Sequence, residues 1–437
     1  MTDIQGKVLF GLFVLSVSFV LLFTSTYTLD LKFGTNTVTL LTACRIAMLV
    51  VGIWFLCLER KNLFGGLDLI AAILLAIIFA GALSGLIEGN DPSAYLRHAF
   101  QYVFMLTFYL IGRILARYEI PVFAFRIIFG AILFGYGVAI AIYVMTPGMQ
   151  AGAYSFQPNL ALLPLAQNGS WITSALSALV IIIGNKRAVF VGGCFCVAVL
   201  IVFAISKDRG GGMLAKTTAI LVLSPVITLL TFLGLSSLNQ LGVPVVGLVA
   251  DRFSPAPSFS PAAVHSANPE KSLEDIKQLE AGVDPVLRLT SARNVEAVAI
   301  WNLLQDKRAG LLIGAGFGSN FEVDYTSPNN YQNVKFTRDQ ADVMPAHIAM
   351  TSGVPLAALF TIVLVWAFVK LFLRLDRISS IESTIALFSI SLVPDTFLGF
   401  NGTNPLVWAA TGYAIMRGSG ASAPHSSEHP VPALSTK

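Results

Sequence analysis

Apolar residues fill this chain in long blocks, near 8–28, 36–57, 68–87, 100–118, 121–145, 169–184, 188–206, 210–249, 349–372, 380–397 and 404–417, with polar turns between them. A helix crosses the hydrocarbon of a bilayer in about 20 apolar residues, so the pattern predicts a series of membrane-spanning helices. The 210–249 block is too long for one ordinary span, and Pro225, preceded by Ser224, falls inside it. Proline removes a backbone donor and crowds the preceding turn, so two short helices meeting at Ser224 and Pro225 are expected there. That division gives about twelve spans in an all-α polytopic membrane protein. Only one polar stretch is long. From Asp251 to Pro345 the chain is expected to leave the bilayer as a large, partly helical loop. The organisation is then an N-terminal helix array over 1–250, the loop over 251–346, C-terminal helices over 347–417, and a Ser-, Pro- and Ala-rich tail over 418–437 that is expected to be disordered.

Charge adds a sidedness. Lys and Arg gather at Arg60 and Lys61, at Arg113 and Arg117, at Lys186 and Arg187, and at Lys370, Arg374 and Arg377. Cytoplasmic loops carry the excess of Lys and Arg, which puts these places and both termini inside and the large loop outside. The first block follows Lys7 with no small-residue cleavage site, so a retained span is expected rather than a cleaved signal. Composition agrees: 55% of residues are hydrophobic, 12% are charged and mean hydropathy is +0.74, whereas soluble domains carry about 25% charged residues. The net charge of +4 is too small to point to nucleic acid, so the placement of the cations matters more than their number. Cys44, Cys57, Cys194 and Cys196 sit in or beside apolar blocks, which leaves no disulfide framework for the loop.

The candidate chemistry lies in and beside the loop, which carries Arg252, Arg288, Arg293, Arg308 and Arg338. A single surface arginine is ordinary, but several on one side of a membrane suit an anionic, lipid-borne substrate. At the outer mouth of a span, Lys207-Asp208-Arg209-Gly210-Gly211-Gly212 sets exposed backbone N–H groups beside a guanidinium. Phosphate oxygens fit that arrangement, although a flexible basic turn has the same composition. Ser291-Ala292-Arg293-Asn294-Val295-Glu296 opens a helical pattern with Arg293 in the first turn, Val295, Val298 and Leu303 packing, and Trp301 at the interface. Arginine is disfavoured at a helix N-terminus, so Glu296 or a ligand is expected to balance Arg293.

Gly314-Ala315-Gly316-Phe317-Gly318 lacks the G-x-G-x-x-G spacing, a preceding buried strand and a partner acid, which excludes a dinucleotide fold. It reads instead as a tight turn that brings the loop backbone close to the helices. In Asp342-Val343-Met344-Pro345-Ala346-His347, Pro345 falls near the first helical position and His347 in the first turn. A helix N-terminus keeps an imidazole neutral, as a general base requires, while a histidine merely hydrogen-bonded at the interface is the plainer reading of a lone His. There is no HExxH, Walker loop, G-x-S-x-G, CxxC or pair of intramembrane carboxylates, and His425 and His429 in the tail are too few for a metal site. No metal or organic cofactor is expected. Asp395, Arg45, Arg126 and Lys216 are charges within apolar blocks that would suit a transport path, but they are scattered and no inverted repeat accompanies them.

In order and spacing, four features resemble the O-antigen ligase/polymerase superfamily of bacterial inner-membrane glycosyltransferases. They are Ser206-Lys207-Asp208-Arg209-Gly210, Arg293 followed by Trp301, the Gly314 to Gly318 turn, and His347 followed by Gly353-Val354-Pro355. The likeness covers about residues 200–370. Ile348 stands where the family often has Asn, and Lys207 and Asp208 lengthen its S-R-G element. The resemblance implies a multi-pass protein of the bacterial inner membrane with its site facing the periplasm. It would transfer a glycan from an undecaprenyl-diphosphate donor to a sugar hydroxyl, as polymerase or ligase, without metal or nucleotide. It places Arg209 and Arg293, together with Arg288, on the diphosphate and His347 as the base; were His347 only an orienting group, Asp342 and Glu296 are the next carboxylate candidates. The acceptor would be a lipid A core sugar or another lipid-linked glycan, with other polysaccharide-assembly proteins as partners. The alternative is a transporter of polysaccharide or lipid-linked glycan, in which the same arginines hold a substrate whose bonds stay intact.

Overall fold

The computed structural model describes residues 3–33, 37–64, 67–118, 212–240, 285–307, 309–326, 333–341, 343–375 and 404–418, with short pieces within 127–134, 193–205 and 385–390. The helices are α1 (Asp3–Phe33), α2 (Thr37–Leu58), α3 (Arg60–Phe64), α4 (Leu69–Glu88), α5 (Pro92–Leu115), α6 (Met213–Gln240), α7 (Pro285–Asp306), α8 (Gly310–Ile313), α9 (Met344–Ser352), α10 (Val354–Phe372) and α11 (Pro405–Gly418). Between α8 and α9 stand β1 (Phe321–Thr326) and β2 (Asn333–Arg338). Among the described residues, five segments are long and apolar enough to cross a membrane: Ile4–Leu22, Thr39–Leu58, Leu69–Glu88, Pro92–Leu115 and Val354–Phe372. The chain is a helical membrane protein. Most of the blocks at 121–145, 169–184, 188–206 and 380–397, on which a count of about twelve spans depends, lies outside the described residues.

Helix α5 is the hub of the described part. It is the least apolar of the five spans yet the one most buried by its neighbours. A helix surrounded by protein need not be apolar on every face, and α5 turns His98, Gln101, Tyr102, Thr107, Tyr109 and Arg113 inward. It packs on α2, α4 and α11. The approach to α11 is a backbone contact: a Cβ at Gly112 would lie 2.0 Å from the Ala409 oxygen, and one at Gly412 would lie 2.1 Å from the Tyr109 oxygen. Small residues permit such approach in membranes.

Capping fixes where α4 and α5 begin. The Asp68 carboxylate accepts the Ala71 N–H at 3.0 Å, and Asp91, followed by Pro92, accepts that of Ala94 at 2.9 Å. Asp68 also accepts the Tyr109 hydroxyl at 2.6 Å and pairs with Arg113. At the same end Arg117 donates to Asn62 at 2.9 Å, Tyr118 donates to Glu59 at 2.9 Å, and Arg374 donates to the Gly418 carbonyl. Arg60 with Lys61, Arg113 with Arg117, and Lys370 with Arg374 are thereby gathered at one end of the helices, while Arg377, Lys186 and Arg187 lie outside the described residues. The opposite end, where α4 stops and α5 starts, carries the described part of the large loop.

Four expectations are corrected. Helix α6 runs unbroken through Ser224 and Pro225. Thr228 and Thr231, in the turns after the proline, donate to the Ser224 and Ile227 carbonyls at 2.8 Å. The 349–372 block is two helices, because Gly353 breaks the chain at φ 94° and Pro355 opens the next helix, so His347 stands on a short helix of its own. The fold is not all-α: within the partly helical loop, β1 and β2 form an antiparallel hairpin in which Phe321 faces Arg338 and Thr326 faces Asn333. Finally, α7 begins at Pro285, which puts Arg293 in its third turn and Arg288 in its first. Among its described apolar side chains Ile300 and Leu304 are buried, in a small core with Ala315, Phe321, Val323, Ala341 and Met350, and Leu303 packs against it as expected, while Val298 is exposed.

Candidate functional site

The site is built where the loop meets α4 and α5. Gly314, Gly316 and Gly318 have φ of 77°, 84° and 81°, in the region where a side chain is strained. Space forbids side chains as well: a Cβ at Gly316 would lie 2.1 Å from the Gly85 nitrogen, and one at Gly314 would lie 2.5 Å from that of Ser352. The alternating glycines let this backbone thread between α4 and α9 and leave Phe317 as the inserted side chain. Its ring is fully buried, in a notch that exists because residues 81 and 85 are glycine; a Cβ at Gly81 would lie 2.3 Å from it. The turn's polar atoms are met on both sides. Phe317 N–H donates to the Gly81 carbonyl at 2.8 Å, Ala315 N–H donates to Met350 at 2.7 Å, and Asn90 donates to the carbonyls of Ala315 and Phe317 at 2.8 and 2.9 Å.

Behind Phe317 the aromatic residues of α5 and α9 form one stack. Tyr102 lies nearly parallel to both Phe317 and His347, with centroids at 5.4 and 5.9 Å. His98 stands edge-on to Phe317 and His347, at 6.3 and 5.1 Å. Thr351 donates to the His347 carbonyl at 3.0 Å, so in its 2.8 Å bond with Tyr102 the phenol is the donor. Each imidazole accepts a backbone N–H from the loop: His98 Nδ1 from Gly318 at 3.1 Å, and His347 Nδ1 from Ala341 at 3.4 Å. Both rings are therefore neutral, with the proton on Nε2. Burial holds the His347 imidazole well below the ordinary histidine range, and the neighbouring His98 adds to the effect.

Around this core lie ion pairs. Arg97, at the start of α5 and 54% exposed, meets Asp339 at 2.8 Å, Arg338 pairs with the buried Glu296, and Lys307 pairs with Glu88. Of the residues expected from sequence, His347 is in the first turn of its helix beside Pro345 and is fully buried. Glu296 is an ion-pair partner on α7. Arg288 and Arg293 are on the α7 backbone, with their side chains outside the described residues, and Arg209 and Asp342 also lie outside them. Sequence reasoning missed Arg97, His98 and Tyr102. The signal was a cation and an imidazole at the mouth of an apolar block, where ionisable groups seldom occur without a role. Comparison with protein-family models, with curated proteins and with solved structures finds no match to this chain.

Proposed function

We propose that this chain is a membrane glycosyltransferase of the O-antigen ligase/polymerase kind, working where the loop meets the helices. The supporting observation is the docking itself. A cation-bearing extramembrane segment is clamped by the Gly314 to Gly318 turn on the end of the helices opposite to the gathered Lys and Arg. By the positive-inside rule that end faces away from the cytoplasm, which in a bacterium is the periplasmic side of the inner membrane. An acceptor sugar hydroxyl attacks the anomeric carbon of the donor, the new C–O bond forms as the bond to the undecaprenyl diphosphate breaks, and the diphosphate leaves with the electron pair. Arg209, Arg288 and Arg293 neutralise that developing charge, which is the larger part of the work. The hydroxyl proton passes to His347, which is already neutral. Its Nδ1 lone pair must first be freed from Ala341, so turnover includes a movement of the loop.

The test is purified protein with a lipid-linked oligosaccharide and an acceptor, following both free undecaprenyl diphosphate and the joined glycan. Release of the diphosphate together with product is the expected result. Glycan that crosses the membrane with its diphosphate bond intact is the result of a transporter and overturns the reading. Arg209→Ala and Arg293→Ala are expected to lose orders of magnitude in transfer, with Lys restoring only part because it lacks the planar fork. His347→Gln, which cannot take a proton near neutral pH, is expected to fail about as badly as His347→Ala. An active Gln variant removes His347 as base and leaves Asp342 and Glu296 as the carboxylates to test.

A further inference from the structure

Two imidazoles join the extramembrane segment to the helices, and in both contacts the ring is the acceptor. Gly318 N–H donates to His98 Nδ1, and Ala341 N–H donates to His347 Nδ1. A proton on Nδ1 sets a donor against a donor, so each bond forms only while its ring is neutral. With centroids 5.1 Å apart, two charged rings would also repel each other.

We propose that His98 and His347 form a proton-operated latch: the Gly314 to Gly318 turn and the Ala341 corner stay docked while both rings are neutral, and a proton taken up by either ring releases them. The charged groups described around the two rings are already paired with one another. On α5, Arg97 adjoins His98, and Tyr102 is bonded to Thr351. After β2, Asp339 acts on His98 through its backbone and through its carboxylate, which Arg97 shares. Arg338 is tied to Glu296 of α7, and Glu88 of α4 is tied to Lys307. Beyond His347, α9 brings hydroxyls and no charged side chain, and the first charge on α10 is Lys370, at the other end of the bundle. Asp342 lies outside the described residues.

The sign follows from linkage. Docked, His347 holds its proton less well than ordinary histidine; undocked, it returns to about 6.5. Between those values the undocked state binds a proton that the docked state does not. Docking is therefore strongest above about pH 6.5 and is lost as pH falls from there toward the docked value. Each proton taken up raises the opening equilibrium by up to about tenfold per pH unit.

Hydrogen exchange by mass spectrometry on the full chain in lipid nanodiscs, from pH 8 to pH 5 and corrected for intrinsic exchange, measures that opening. Peptides spanning 314–319 and 338–350 are expected to lose protection by up to about tenfold per pH unit per proton below about pH 6.5, while a peptide within α10 stays level. Exchange of the imidazole C2 hydrogens in the same samples gives the titration of each ring, and the opening is expected to track it. In a His98→Asn, His347→Asn double variant, Oδ1 accepts the same N–H without titrating, so docking is expected to persist without pH dependence. Protection that is level from pH 8 to pH 5, opening that follows neither ring, or an unchanged slope in the double variant overturns the latch. The first two readings use the unaltered protein, so they decide even if the variant does not fold.

Discussion

Phe317→Ala is the most direct test of how the loop is held. The ring is fully buried, lies against Tyr102 at 5.4 Å and meets Tyr95 edge-on at 5.8 Å, in a notch too narrow for a methyl group at residue 81 or 85. Deleting a buried phenyl costs about 3–5 kcal/mol, part from lost transfer and part from the cavity left between elements that cannot collapse. Helices already inserted in lipid lose little else, so the cost should fall on docking rather than on global folding. That predicts a rise in loop opening of roughly a hundredfold to several thousandfold. The lower end applies where the released ring finds lipid in place of water. Exchange at pH 8 of the Phe317 and Ala315 amides, bonded to Gly81 and Met350, reads the change directly. Phe79→Ala, on the same helix but 71% exposed, is the control and should change little. A Phe317→Ala loop that stays as protected as the original would falsify the claim that this ring holds the loop on α4 and α5.

Gly316→Ala combines a left-handed backbone with a Cβ 2.1 Å from the Gly85 nitrogen, so it should undock the same peptides even though Phe317 is intact; normal protection would mean the turn is not locked as described. Asp68→Asn keeps the cap of α4 but leaves Arg113 without its carboxylate, and should lower the melting temperature in detergent. Asp68 is 23% exposed, so the loss should fall below the roughly 3–5 kcal/mol of a fully buried pair, and a wild-type melting temperature would make the pair dispensable. A cysteine at Ser272, in a chain with its native thiols replaced, should react with an impermeant maleimide added outside intact cells; labelling only after permeabilisation would reverse the proposed sidedness.

Block length and hydropathy carried the membrane class, because lipid demands about 20 apolar residues in every helix that crosses it, whatever its neighbours. The glycines from 314 to 318 were legible as a close-approach turn, since alternating residues without Cβ have few other uses. Pro345 likewise put His347 in a first turn, a local rule that held. Rules of the same kind failed at Pro225, where an apolar setting favours internal backbone bonds and the helix continues, and at Gly353, where a break divides an apolar block that length alone joins. The hairpin was present as alternation in Phe321-Glu322-Val323-Asp324-Tyr325-Thr326, but a reading tuned to spans passes over six residues. What only the tertiary structure decided is the partnership of His98 with His347, and the parallel contacts of Tyr102 with Phe317 and His347. Periodicity and caps act over a few residues, so they say which face of a helix is buried and where it ends. They do not say which distant residue will meet it, because that depends on how far two backbones approach, and here the approach was set by the glycines at 81, 85, 314, 316 and 318.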